Sequence, residues 1–257
     1  MRQHMSVFML FAKSSFYKVL ILLLAMIAAE GAWFYKTLLG LQEKRQLEGK
    51  YTVVLAEAVF EDAHLMGFFA VAVIGLTVIL AYVGRSTIGH QEYTWNRLSI
   101  TPTSIFLWQT LYNTGCFLLL WFVQAALAFS LCLYYVKTAE AGAVTHQSLF
   151  LAFYREPFLH GLIPLQNTWY WVRNVLFFVA LGFSTAYDVS CARQGKNRMW
   201  TWWMILGLGL AKFKADLSMN GTDGMQVLIY AGIVLWMVFI LLRMGERRKA
   251  NAGNEIH

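Results

Sequence analysis

The sequence predicts an all-α integral membrane protein, and three observations carry that prediction. Charged residues make up 14% of the 257-residue chain, against about 25% in a soluble domain. Hydrophobic residues reach 58%, with 19 Phe and 10 Trp, and the mean hydropathy is +0.51. Apolar runs near the roughly 20 residues needed to cross a bilayer recur along the whole chain. They lack the two-residue alternation of a membrane β-barrel. In lipid each segment must satisfy its own backbone groups, so the runs are expected to be helices. Residues 1–257 then form a single transmembrane domain, with no room for a soluble catalytic domain.

The expected spans are about 17–39, 63–84, 102–136, 168–188, 199–213 and 224–243, with the fifth cut short by Lys212 and Lys214. Ahead of the first, Met5, Phe8, Met9, Ala12 and Phe16 recur at helical spacing beside Ser6, Lys13 and Ser14. That pattern predicts an interfacial amphipathic helix over 1–16. The first span has the basic lead-in and small-residue site of a signal peptide. Its apolar character continues past that site to Leu39, which argues for a retained span. Between the second and third spans lies a polar stretch, GHQEYTWNRLSITP, from Gly89 to Pro102. Ser86 or Thr87 can cap a short helix there, carrying Tyr93, Trp95, Asn96 and Arg97. Thr101 before Pro102 reads as an N-cap followed by proline at the first helical position, which starts the third span.

Outside the spans, 40–62 place Leu47, Tyr51, Val54, Leu55 and Ala58 on one helical face, which would extend the second span outward. Leu149 to Tyr154 form another amphipathic piece, ended by Pro157. The Trp200, Trp202 and Trp203 cluster marks a membrane boundary. Cys116, Cys132 and Cys191 show no disulfide pattern and are expected as free thiols, the last in a short loop.

Charge gives the expected orientation. With the N-terminus inside, the inner segments hold twelve Lys/Arg and four acids, and the outer half holds nine bases and ten acids. Lys/Arg excess marks the cytoplasmic side, so both termini are expected in the cytoplasm and the chain in the plasma membrane, crossing it several times. The basic pI reflects this topology, and no soluble basic face is available for nucleic acid.

Candidate chemistry is sparse. Glu30 is a carboxylate inside the first span, where such a group is costly and tends to face an interior path or a partner. With Gln124 of the third span it is a candidate for a translocation path. Glu57, Glu61 and His64 share a helical face, and His146 and His160 lie in an outer segment, but no compact ligand motif supports a metal site. No catalytic pair is evident within the spans, so the chain is not expected to be an enzyme.

The polar stretch resembles the intracellular coupling region of type-2 ATP-binding-cassette exporter permeases. Glu92, Thr94, Arg97-Leu98 and Ser99-Ile100-Thr101 follow that family's order of an acidic residue, a Thr, a Leu pair and small residues leading into the third span. Tyr93 stands where Gly is frequent, Pro102 comes about three residues late, and Gln109 takes the place of a basic residue. Span number, chain size and orientation also resemble the family. In it a connecting helix precedes the first span, and many members carry a re-entrant outer hairpin between the fifth and sixth spans, where the loop of this chain is short, so a different closure of the outer gate is expected.

The resemblance implies a six-span half-transporter working as a pair with a second copy or a homologous permease. A cytoplasmic nucleotide-binding ATPase would sit on a coupling helix formed by His90, Gln91, Glu92, Tyr93, Trp95 and Arg97. No cofactor is expected on this chain; ATP and Mg would be bound by the ATPase, since no Gly-rich phosphate loop is present here. An apolar, aromatic cavity suits amphipathic or hydrophobic peptides, or lipids, as cargo. Two other readings stay open: a membrane protease or acyltransferase using outer His and acidic residues, and a peptide-binding sensor or immunity protein that transports nothing.

Overall fold

A computed structural model describes residues 2–48, 56–86, 101–138, 146–164 and 168–193, and, in helical pieces, 203, 205–207, 209–210, 224–225, 227–236 and 238–239. The described elements are helices: α1 (Arg2–Glu48), α2 (Ala56–Asp62), α3 (Leu65–Ser86), α4 (Pro102–Thr138), α5 (His146–Arg155), α6 (Pro157–Leu162) and α7 (Thr168–Arg193). Four of them are long and apolar enough to cross a membrane, over Phe8–Glu43, Leu65–Val83, Thr103–Thr138 and Thr168–Ala192. They coincide with the first four expected spans. Of the fifth only 203, 205–207 and 209–210 are described, and most of the sixth is, chiefly as the shorter apolar helix Val227–Trp236.

The four long helices form a bundle in which α1 packs between α3 and α4, and α7 packs on their other side. Lys18 lies over Tyr82 at one end of the α1–α3 contact and Trp33 meets Phe68 toward the other, so these two run antiparallel. Ser15 meets Tyr112 and Glu30 meets Gln124, which makes α1 and α4 parallel. Phe106 packs on Phe183 and Trp121 on Trp171, so α4 and α7 are antiparallel. Chain direction therefore alternates through α1, α3, α4 and α7. Helices that are not neighbours in the ring, α3 and α4, are joined by the segment 87–100.

Burial on α1 follows one stripe: Phe11, Ser15, Val19, Leu23, Met26, Glu30, Phe34 and Leu38. These fall three or four residues apart, the period of a helix face. The opposite face leaves Tyr17, Ile21 and Leu24 exposed, as suits a surface solvated by acyl chains. Lys18 and Lys36 each lie over an aromatic ring, Tyr82 and Trp33 respectively. Their spacing of 18 residues corresponds to about 27 Å of helix, close to the hydrocarbon thickness. Amphipathic aromatic and lysine side chains suit the two interfaces.

Several expectations change. The segment 1–16 is not separated from the first span by a break: one continuous helix of 47 residues runs from Arg2 to Glu48. Its start packs on α4, through Phe8 against Trp108 and Tyr112 and through Phe11 beside Ile105, while Met9 and Phe16 stay exposed. Residues before the second span do not extend it as one helix. α2 stops at Asp62, and the chain turns at His64, whose φ of 49° is left-handed. His64 is therefore off the helical face of Glu57 and Glu61. Pro157 does more than end a helix, since it opens α6 at the first helical position. Cys191 lies buried in the last turn of α7, which continues to Arg193, and all three cysteines are free. The N-cap at the start of α4 is as expected: Thr101 Oγ1 accepts from the Ser104 amide at 3.4 Å and Ile105 N–H donates to the Thr101 carbonyl.

Candidate functional site

Polar side chains form a seam inside the apolar bundle. At the end holding the α1 N-terminus, the Ser15 and Tyr112 hydroxyls lie 2.7 Å apart. Asn113 Nδ2 donates to Thr185 Oγ1 at 2.9 Å, joining α4 to α7, with Gln109 and Asp188 buried nearby in sequence on the same two helices. This contact depends on Gly182. A Cβ there would sit 2.7 Å from the Thr114 nitrogen and 2.8 Å from its Cα, so only glycine admits the α4 backbone.

Toward the other end, Gln124 Nε2 donates to Glu30 Oε2 at 2.9 Å. Both residues are 0% exposed. The sequence singled out these two residues, and the structure brings them into direct contact between α1 and α4. Glu30 Oε1 and Gln124 Oε1 are buried without a hydrogen-bond partner among the described residues. An unsatisfied polar atom in a low-dielectric interior is costly, so this contact is the bundle's most conspicuous polar site.

A second polar group lies where α5 and α6 cap this end. Helix C-termini leave carbonyls without intrahelical partners. Here the bundle supplies donors to α6 and the residues after it: Trp121 Nε1 to Leu162 O at 3.1 Å, Asn174 Nδ2 to Gly161 O at 2.8 Å and Trp171 Nε1 to Pro164 O at 2.7 Å. Glu156 caps the α6 N-terminus by accepting from the Leu159 amide. Burial pushes the Glu156 carboxyl above the usual range, opposed by the Leu159 and Phe158 amides. His160 is buried edge-on between Tyr154 and Tyr170. Burial, and then the Arg173 charge, hold its imidazole below the ordinary range. Arg173 is 4% exposed, stacks 4.7 Å from the Tyr170 ring centroid and donates to Asn174 Oδ1. Arg173 and Asp188, both buried here, fall within the expected fourth span. Their signal was that placement alone.

The expected ATPase-facing residues His90, Gln91, Glu92, Tyr93, Trp95 and Arg97 lie outside the described residues, as does His146 with respect to its side chain. Among the described residues no group of three or more His, Cys, Asp or Glu side chains is placed to hold a metal ion. No family model, curated protein or solved structure matches the chain.

Proposed function

We propose that this protein is the permease subunit of an ATP-driven exporter, moving amphipathic or hydrophobic peptides across the plasma membrane with a separate ATPase and a second permease. The observation that carries the reading is the topology of the bundle. The N-terminus of α1, the end of α3, the start of α4 and the end of α7 share one end, because chain direction alternates. Along the helices, that end holds Arg2, Lys13, Lys18, Arg85 and Arg193 against Asp188, a bias that favours the cytoplasmic side. Segment 87–100 connects α3 to α4 there, helices that are not neighbours in the ring. A protein pushing on that segment would act on two opposite corners of the bundle at once. Such leverage suits a coupling element that tilts packed helices as rigid bodies.

The test is reconstitution. Affinity-purified protein from native membranes should bring with it an ATPase containing a Gly-x-x-x-x-Gly-Lys-Ser/Thr loop, identified by mass spectrometry. Vesicles holding both should transport an amphipathic peptide only with ATP. A protein that purifies without such an ATPase and hydrolyses peptides or acyl esters would be a membrane enzyme. One that binds peptide in the bilayer with no ATP-dependent movement would be a sensor or immunity protein.

A further inference from the structure

We propose that Glu30 and Gln124 form a proton-binding site inside the membrane, with the proton shared across the contact of α1 and α4. This stands independently of the exporter reading. The argument is a count of donors and acceptors. Gln124 Nε2 donates to Glu30 Oε2, and two acceptor oxygens, Glu30 Oε1 and Gln124 Oε1, are left over among the described residues. One proton on Glu30 Oε1 answers both. It turns that oxygen into a donor, and the Gln124 carbonyl is the acceptor on the same pair of side chains. The result is a doubly hydrogen-bonded acid–amide pair, reached by a small rotation of either side chain.

Among the described residues no charged group pairs with Glu30: α7, packed on α4, carries buried Arg173 and Asp188, and Arg173 stacks on Tyr170 and donates to Asn174. α3 contributes no acidic or basic residue between Leu65 and Val83, and α4 contributes none between Thr103 and Val136. Titratable groups on α4 are Tyr112, Cys116, Cys132, Tyr134, Tyr135 and, in its last turn, Lys137; on α3 between Leu65 and Val83 the only one is Tyr82, at its far end. α2 carries Glu57, Glu61 and Asp62, the last two exposed. On α1 the titratable groups nearest to Glu30 are Tyr35 and Lys36 beyond it and Tyr17 and Lys18 before it, all four exposed. A carboxylate at Glu30 would thus be a buried charge with one hydrogen bond, which is strongly disfavoured. A hard metal cation fits less well, because such ions take about six oxygens or more and the pair offers three, one of them already hydrogen-bonded. Ionisation would weaken the contact between α1 and α4, and the proton would leave to water admitted as they part. The site therefore couples proton occupancy to the packing of two parallel helices.

Infrared spectroscopy of the full chain in lipid bilayers at pH 7, with carboxyl-13C-labelled glutamate, tests this. Glu156→Gln in the background removes the half-buried Glu156, whose carboxyl is held above the usual range by burial. The expected result is a protonated-carboxyl C=O band that moves with the label, vanishes in Glu30→Gln and shifts upward in Gln124→Leu as its hydrogen bond is lost. Absence of a label-sensitive band, or a band unmoved in Gln124→Leu, overturns the proposal. Should either variant fail to insert, the labelled Glu156→Gln spectrum still decides: the band's presence supports the site and its absence refutes it.

Discussion

Gly182→Ala tests the close approach of α7 to the α4 backbone at Thr114. The added Cβ would lie 2.7 Å from the Thr114 nitrogen and 2.8 Å from its Cα, where ordinary contact begins at 3.4 Å. Thr114 Oγ1 can rotate away, but the backbone cannot, so α4 and α7 must separate by roughly 0.6 Å or more to restore ordinary van der Waals distance. Overpacking of this kind costs about 1–3 kcal/mol. The same separation stretches the neighbouring Asn113–Thr185 hydrogen bond, worth on the order of 0.6 kcal/mol within a membrane. A total of about 2 kcal/mol corresponds to a roughly thirtyfold fall in the folding equilibrium constant. Gly115→Ala, one residue along α4 from Thr114, is the control, because nothing lies within 4 Å of its Cβ position. Denaturation in mixed detergent–lipid micelles, followed by Trp fluorescence, should show the loss for Gly182→Ala and little change for Gly115→Ala. Equal stability of the two variants would refute the packing of α4 on α7.

Other predictions concern the cap, orientation and the helix start. His160 is held below its ordinary range by burial and by Arg173, so the folded cap favours the neutral ring. Its stability is full above the unfolded value of about 6.5 and is lost as pH falls below it. Protection of 146–164 against hydrogen exchange, taken relative to the intrinsic rate at each pH, should fall on acidification from pH 7 to 5.5, and His160→Gln should flatten that fall; an equal fall in the variant would count against His160 as its source. Cysteines introduced at Gln194 and Asn251 should be labelled only from the cytoplasm, and one at Lys44 only from outside; outside labelling at Asn251 would reverse the orientation. Thr101→Ala should destabilise the start of α4 by about 1 kcal/mol, measured by the same micelle denaturation, and no change would mean Pro102 alone fixes that end.

Composition and spacing made the spans legible because each is a local property. A long apolar run bounded by charges gives α3, α4 and α7 almost without reference to the rest of the chain. The Thr101-Pro102 pair is equally local, and it marks the α4 start. The continuity of α1 was not legible, since nothing in Phe16-Tyr17-Lys18 distinguishes a bend into the interface from a straight run held by α4. The turn at His64 was hidden because no Gly or Pro announces it. Glu30 stood out as an expensive residue in an apolar run, yet its contact with Gln124 depends on which helices pack. Arg173 was hidden in an aromatic, interface-like sequence, Trp169-Tyr170-Trp171-Val172-Arg173-Asn174. Its burial, beside His160 of α6 and Tyr230 of the Val227–Trp236 helix, depends on tertiary packing that sequence spacing does not reveal. Gly182 was equally silent, being required only by Thr114 on another helix.

The exporter reading depends most on whether segment 87–100 engages an ATPase. Interface affinity concentrates in aromatic and Arg side chains, each worth on the order of 1–2 kcal/mol or more when buried, so Tyr93→Ala with Arg97→Ala should weaken association at least about tenfold. Glu92→Ala should do less, as an exposed carboxylate contributes little. The measurement is the ratio of ATPase to permease after co-purification, together with ATP-driven peptide export in vesicles. The account predicts a double mutant that inserts normally, loses the ATPase and does not export. Wild-type ATPase ratio with export intact would contradict it.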